Sequence, residues 1–339
     1  MKTKPWLLQA GGFVAAICGG AAFNALHVPI GWVLGALIAS AAWCNLTGAP
    51  GLGRDARRVA LLLLGVATAA ILTPALLAEM VTLLPLMVFA AIVVNVVALL
   101  LVRPFAHLVG VDRTTALCSV LPAGLAEMAG LAQDRGARVD VVTLAHTVRV
   151  TVLVMTVPFL VGAEDRVADP SAGEPLLTLA CLAISGLLAW IMHRSGFVNP
   201  WIVVPIVVGM GVVLLGGTIA PIPKPIVILA QILIGASLGS KLSLADLLGR
   251  PRPLIAALFS TLALFVGALV CVGPPLLWVF GTGFSTTVLA LAPGGLAEML
   301  AAAKSVGANV PFVVGFQILR SLMTNSLAPV LLSRWGAQK

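Results

Sequence analysis

Long apolar stretches alternate with short polar ones along the whole chain. Twelve such stretches run at about 6–24, 28–47, 58–77, 80–102, 113–134, 139–161, 175–193, 199–218, 224–243, 253–272, 284–303 and 309–332. Each approaches ~20 residues, the length at which a helix spans an apolar layer ~30 Å thick. The pattern predicts an all-α polytopic membrane protein. Residues 1–25 mimic a signal peptide, with Lys2 and Lys4, an apolar run and Ala22-Phe23-Asn24-Ala25. The same element recurs at 175–193, where no signal peptide can lie, so the segment is read as a first helix.

The pattern repeats. Residues 115–160 realign with 286–331 at a constant offset of 171, without a gap. Pro122-Ala123-Gly124-Leu-Ala-Glu127-Met128 matches Pro293-Gly294-Gly295-Leu-Ala-Glu298-Met299. Gly136 matches Gly307, Arg149 matches Arg320 and Pro158 matches Pro329; further upstream, Pro29 matches Pro200. The chain therefore divides into a first repeat at 1–165, an acidic external linker at 166–174 and a second repeat at 175–339.

The fifth stretch of each repeat, 113–134 or 284–303, is interrupted by its proline–glycine block. Proline removes a backbone donor and glycine loosens a helix, so each stretch is a broken element. If all six stretches cross, 11 Lys/Arg fall inside and 7 outside, leaving aside Arg149 and Arg320. If the fifth is instead a re-entrant hairpin, 15 fall inside, and only Arg166, Lys224 and Lys304 lie outside. The second count obeys the positive-inside rule better. Five crossings per repeat is an odd number, so the repeats are inverted relative to each other, with about ten spanning helices in total. Inverted repeats with broken elements are a signature of secondary transporters.

Composition agrees with this reading. Only 9% of the 339 residues are charged, 60% are hydrophobic and mean hydropathy is +1.12. An ordinary soluble protein has about 25% charged residues. The net charge of +8 is read as loop arginines and lysines that set orientation, not as a nucleic-acid surface. The five cysteines lie within apolar stretches without a CxxC and read as core residues.

Against this background four charges stand out. Glu127, Arg149, Glu298 and Arg320 lie within apolar stretches, where each costs about 2.5–3.5 kcal/mol on the insertion scale. Either they line a polar cavity, or each Glu and Arg of one repeat neutralise one another. Thr143, His146 and Arg149 form one helical polar stripe; Gln317, Arg320 and Thr324 form another, with Asn325 beside it. If the second half-helix begins at Gly124 or Gly295, Glu127 and Glu298 fall at its N3 position. They could then cap free amides or serve as a Na+ or H+ site. Thr115 and Thr286 supply a matched hydroxyl in the first arm of each hairpin. Substrate binding is thus assigned to Thr115, Pro122, Ala123, Gly124, Glu127, His146, Arg149, Thr286, Pro293, Gly294, Gly295, Glu298, Gln317, Arg320, Thr324 and Asn325.

No GxxxxGK[ST] motif and no Cys/His cluster is present, so neither ATP hydrolysis through a P-loop nor a catalytic metal is expected, and the chain is read as no enzyme. Gly31–Gly35 and Gly235–Gly239 are GxxxG patterns that permit close helix packing, within the chain or in a homodimer.

The duplicated Pro-(Ala/Gly)-Gly-Leu-Ala-Glu-Met block, with its downstream Gly and Arg, resembles the AbrB duplication family of bacterial inner-membrane proteins, across essentially the whole chain. The resemblance carries two inherited labels, ammonia monooxygenase and regulator of gene expression. The absence of a metal-ligand cluster argues against the first. The family name is shared with a small soluble DNA-binding regulator, from which this chain differs in composition. The five-plus-hairpin arrangement is similar to that of citrate/sodium-type symporters.

The resulting expectation is a cation-coupled secondary transporter or exporter of a small organic anion. It would sit in the bacterial cytoplasmic membrane, with both termini cytoplasmic, the lipid bilayer and a solute as partners and no direct nucleic-acid binding. The alternative is a membrane sensor that affects gene expression through a partner protein.

Overall fold

Glycine and proline punctuate the helices at both ends. The structure, a computed structural model, describes residues 5–28, 30–161, 173–195, 197 and 199–335. Lys2, Lys4, Pro29, Lys339 and most of the acidic linker, Arg166 included, lie outside these described residues. The described chain is all-α. The first three stretches become α1 (Pro5–Ala25), α2 (Gly31–Thr47) and α3 (Arg54–Ala69), followed by a short α4 (Pro74–Thr82). Then come α5 (Leu84–Val109), α6 (Arg113–Val120), α7 (Leu125–Asp134) and α8 (Val139–Leu160). The second half repeats the order: α9 (Pro175–Arg194), α10 (Pro200–Leu214), α11 (Lys224–Gly239), short α12 (Leu244–Gly249) and α13 (Pro251–Pro274). A π-helical turn (Pro275–Val279) leads to α14 (Phe284–Leu291), α15 (Leu296–Ser305) and α16 (Val310–Trp335).

Five helical segments are long and apolar enough to cross a membrane by length and composition: Leu7–Ala25, Leu84–Val109, Val139–Leu160, Pro175–Arg194 and Pro251–Val279. The expected ten are not reached among the described residues, and the reason is local. The stretch at 28–47 opens with a turn, and its helix stops at Gly48, whose φ of 66° favours glycine. The resulting α2 has 17 residues, and α10 and α11 have 15 and 16. The stretch at 58–77 breaks before Pro74, where α3 and α4 meet at 101°.

Two compact units form, and each draws on both repeats. The first comprises 1–82, 163–243 and 300–311; the second comprises 83–162, 244–299 and 312–339. In the first unit α1, α2 and α11 pack around Ala16, Ala36, Ile232 and Ala236. A second cluster in that unit joins Val66, Ala69, Leu72 and Leu77 to Cys181, Val213 and Ile219. In the second unit α13 lies along α5 and α8, and α6 and α7 lie against α8.

Small residues bring the backbones of the first unit into contact. A Cβ at Gly35 would lie 2.0 Å from Gly19 O; one at Gly235 would lie 2.3 Å from Val33 O, and one at Gly239 2.1 Å from Leu37 O. Both GxxxG patterns are thus used inside one chain, where α2 is held between α1 and α11. Ser40 adds a hydrogen bond from its Oγ to Ala236 O at 3.0 Å.

Backbone cannot yield as a flexible side chain can. Gly239→Val should therefore destabilise the protein by about 2–3 kcal/mol, near the upper end of overpacking costs. Gly211 lies in helix α10, and a Cβ added there would meet nothing within 4 Å. Gly211→Ala should therefore stabilise by about 0.5–1 kcal/mol through helix propensity. Thermal unfolding midpoints of the two variants should move in opposite directions.

Candidate functional site

A helix that stops leaves its last four carbonyl groups without intrahelical donors. The first break does this inside the second unit, at the end of α6. Pro122 has no N–H, so Cys118 O loses its donor, and the extended conformation at Leu121 and Gly124 removes the donors of the carbonyls that follow. The missing donors come from α8. His146 Nε2 donates to Cys118 O at 2.8 Å. Arg149 donates to Ser119 O at 3.3 Å, Val120 O at 3.0 Å and Leu121 O at 3.1 Å. The carbonyls of Cys118, Ser119 and Val120 are thereby satisfied by two side chains one helical turn apart, while Leu121 O also accepts from Ala123 N at 2.9 Å. Because Cys118 O can only accept, His146 carries its hydrogen on Nε2. Its Nδ1 then accepts from Arg149 at 2.9 Å.

The second break, in the same unit, repeats the solution with different chemistry. Pro293 deprives Leu289 O of its donor, and Gln317 Nε2 replaces it at 2.9 Å. The same nitrogen lies 3.4 Å from Ala290 O and 2.9 Å from Ala292 O. Arg320 donates to Ala292 O at 2.7 Å and to Gly294 O at 2.9 Å. Arg149 and Arg320 are buried at 3% and 6% exposure. Their positive charges meet the negative ends of α6 and α14, which the helix dipole favours. Among the described residues neither arginine pairs with a carboxylate.

The glutamates serve the opposite ends. Gly124 is the N-cap of α7, and Glu127 sits at N3. A Cβ on Gly124 would lie 1.9 Å from Glu127 Oε2, and one on Gly295 2.0 Å from Glu298 Oε2. Each carboxylate therefore folds back over the glycine that begins its half-helix, as in a capping box. Glycine is needed here for space, since Gly124 has an ordinary φ of −68°.

The remaining assigned residues distribute around this frame. Thr115 is fully buried, donates to Asp112 Oδ1 and accepts from Arg138 N at 3.0 Å. It thus ties the start of α6 to the start of α8. Asp112 also caps α6 by accepting from Thr115 N at 3.0 Å. Asp112 is absent from the residues assigned by sequence, although Asp ahead of a helix is an N-cap signal. So is Asp140, which accepts from Arg138 at 3.0 Å and Arg250 at 2.6 Å and so joins the starts of α8 and α13. Pro122, Pro293, Gly294 and Thr286 are buried; Ala123 is half-buried. Thr324 returns its hydroxyl to Arg320 O at 2.8 Å, and Asn325 donates to Ser321 O at 2.8 Å.

Two outcomes follow. Arg149→Met keeps the side chain's apolar stem but strips Ser119 O and Val120 O of their donors, while Leu121 O keeps Ala123 N. Buried orphans cost about 1–3 kcal/mol each, so stability should fall by roughly 2 kcal/mol or more, read as a lowered unfolding midpoint. Gly124→Ala should cost about 1 kcal/mol by displacing the Glu127 carboxylate. The double variant Gly124→Ala/Glu127→Ala should cost less than the sum of the single variants, and strict additivity would contradict the fold-back geometry.

Comparisons with known proteins bear on what this frame serves. Residues 32–336 match the family model described as transition state regulatory protein AbrB. The chain is 27% identical over 320 residues to an Escherichia coli (strain K12) protein named as a candidate regulator, AbrB, with 88% of each chain aligned. It is 28% identical over 241 residues to uncharacterized protein YhjN of Bacillus subtilis (strain 168), covering 64% of this chain. That alignment spans 62% of the relative's length.

These matches correct three expectations. The solute transporter gives way, because the two descriptions that name a role name regulation; the alternative of a regulator agrees with them better. The exclusion of nucleic acid as a partner is withdrawn, since a regulator's description gives no ground for it. The multi-pass inner-membrane placement is withdrawn on the same descriptions. The apolar windows are moreover buried within the chain to very different extents, from 11% in the first to 72% in α8, so apolarity alone assigns no location. What stands is five helical segments of sufficient length and apolarity. The expectation of no enzyme agrees with the regulatory description. The matched span takes in both breaks, both capping arginines and both copies of the Pro-(Ala/Gly)-Gly-Leu-Ala-Glu-Met block: the chain belongs to the AbrB family.

Proposed function

We propose that this protein is a non-catalytic regulator that affects gene expression through a partner protein. The observation that carries the reading is the family match over 32–336, whose description is regulatory. The name of the Escherichia coli relative supports it over a comparable span. We read the two repeats as inverted copies related by a pseudo-two-fold axis, with the two breaks as equivalent parts. Matched short helices after α3 and α11, and matched capping arginines, support the duplication on which that relation rests.

The broken helices offer a regulator a two-state element. A switch needs parts with two discrete arrangements, biased by differential contacts. The open carbonyl end of each broken helix is capped by two side chains from a single neighbouring helix. Loss of those few hydrogen bonds would release the half-helices together. The residues assigned from sequence around Pro122–Glu127 and Pro293–Glu298 are then the signal-receiving elements.

Deleting the gene in its native host should change a defined set of transcripts, and the intact gene should restore them. Arg149→Met or Arg320→Met should fail to restore them at protein levels matched by immunoblot. An unchanged transcript profile across growth phases and stress conditions would defeat the reading. Cross-linking from the intact cell should recover a protein partner. Retardation of duplex DNA by the purified chain, weakening with salt as phosphate contacts require, would replace that partner with nucleic acid.

A further inference from the structure

The two breaks follow one plan but are capped to different degrees. At the first, His146 uses both ring nitrogens, one on Cys118 O and one toward Arg149. The duplication places glutamine at the equivalent position. Gln317 spends its Nε2 on the carbonyls of Leu289, Ala290 and Ala292, but its Oε1 is buried and bonded to nothing. Arg320 spends its terminal nitrogens on Ala292 O and Gly294 O, and its Nε is also buried without a partner. Gln317 is 0% exposed and Arg320 6%. An unmet acceptor and an unmet donor thus stand one turn apart on α16, both side chains held against Ala292 O.

Three further facts bear on what would satisfy them. Arg320 and Arg149 are buried cations without a carboxylate partner among the described residues. A buried charge ordinarily demands a counter-charge. Helix α15 begins two residues beyond Gly294, and the Glu298 carboxylate folds back over its start. The buried atoms left open at this break are one donor, Arg320 Nε, and two acceptors, Gln317 Oε1 and Glu298 Oε2.

We propose that the second break is the binding site for a small oxyanion that keeps an O–H of its own, such as dihydrogen phosphate or a 2-hydroxycarboxylate. Arg320 Nε–H donates to an anion oxygen, and the anion's hydroxyl donates to Gln317 Oε1. Both atoms are closed to water in the closed arrangement of the break, so the anion enters only as the break loosens. Binding is therefore coupled to movement of the segment from Ala292 to Gly295. The first break, saturated by His146, stays closed. This assignment rests on the regulatory reading only in making the anion the regulator's effector; the binding itself is independent of it.

The test uses the purified full-length chain and calorimetric titration near neutral pH at constant ionic strength. Inorganic phosphate and glycolate should each bind at one site per chain. Nitrate, which has no O–H, should bind more weakly by about tenfold or more. Gln317→His copies the saturated first break, and should weaken phosphate and glycolate by about tenfold while retaining the unfolding midpoint. If that variant does not fold, Gln317→Glu takes its place: its carboxylate cannot donate to the carbonyls and repels the anion, so binding should again be lost. Failure of both probes to bind the wild-type chain, equal binding of nitrate, or unchanged binding in the folded variant overturns the proposal. Each of these results leaves the transcript experiment untouched, so the two readings fail separately.

Discussion

The second unit depends on one constraint: a helix broken inside protein must have its orphaned carbonyls met by donors from somewhere else. Water could do this at a surface. Here the carbonyls of residues 118 to 120 lie beside buried Leu117, Cys118, Val120 and Leu121, and the donors come from His146 and Arg149. The arginine suits the task because its guanidinium presents several N–H groups in a fixed plane. It also places positive charge where the dipole of α6 is negative. The cost of burying the charge is met by backbone, not by a carboxylate. Placement of α8 against α6 and α7 follows from the same contacts. So does the position of Thr115, which accepts from the backbone N–H of Arg138, the N-cap of α8.

The first unit answers a different constraint, close approach. Its helices carry glycine where a neighbour's carbonyl passes, so α1, α2 and α11 meet backbone to backbone. Such crossings gain dispersion and weak Cα–H···O contacts without any polar side chain at the centre. The two units thus show two uses of glycine. At Gly35, Gly235 and Gly239 its missing side chain admits another helix. At Gly124 and Gly295 the same absence admits a carboxylate that reaches back over its own helix start.

Much of this is readable from sequence, for identifiable reasons. The breaks are, because proline followed by glycine in an apolar run is a backbone statement that one sequence makes twice. The N3 position of Glu127 is also predictable, by counting from Gly124. The partners of the arginines are not. A sequence shows side chains, so buried Arg149 and Arg320 suggest glutamate or a bound solute. Their acceptors are main-chain carbonyls, which every residue has and no letter marks. The long-helix count is overestimated when apolar runs are measured without their internal breaks, at the turn before Gly31 and before Pro74. The six-residue α12 carries too few positions to show a period. Architecture misleads about function: a duplicated chain with broken helices suggests transport, whereas the family's description is regulatory, and a fold does not by itself carry a function.

Duplication explains why the two breaks matter together. Immediately after duplication both copies would have met their carbonyls with the same residues. Today one has histidine and the other glutamine at the same place, one turn before an arginine retained in both. Histidine has two ring nitrogens, and both are used. Glutamine has a donor end and an acceptor end, and only the donor end is used. The exchange therefore preserved the structural duty of holding the break and left one copy with valences that structure does not need. A symmetric pair of breaks would open together or not at all. An unequal pair gives the chain one side that is fixed and one whose hydrogen bonds are incomplete, and the incomplete side is where a small change in contacts can shift the balance between two arrangements.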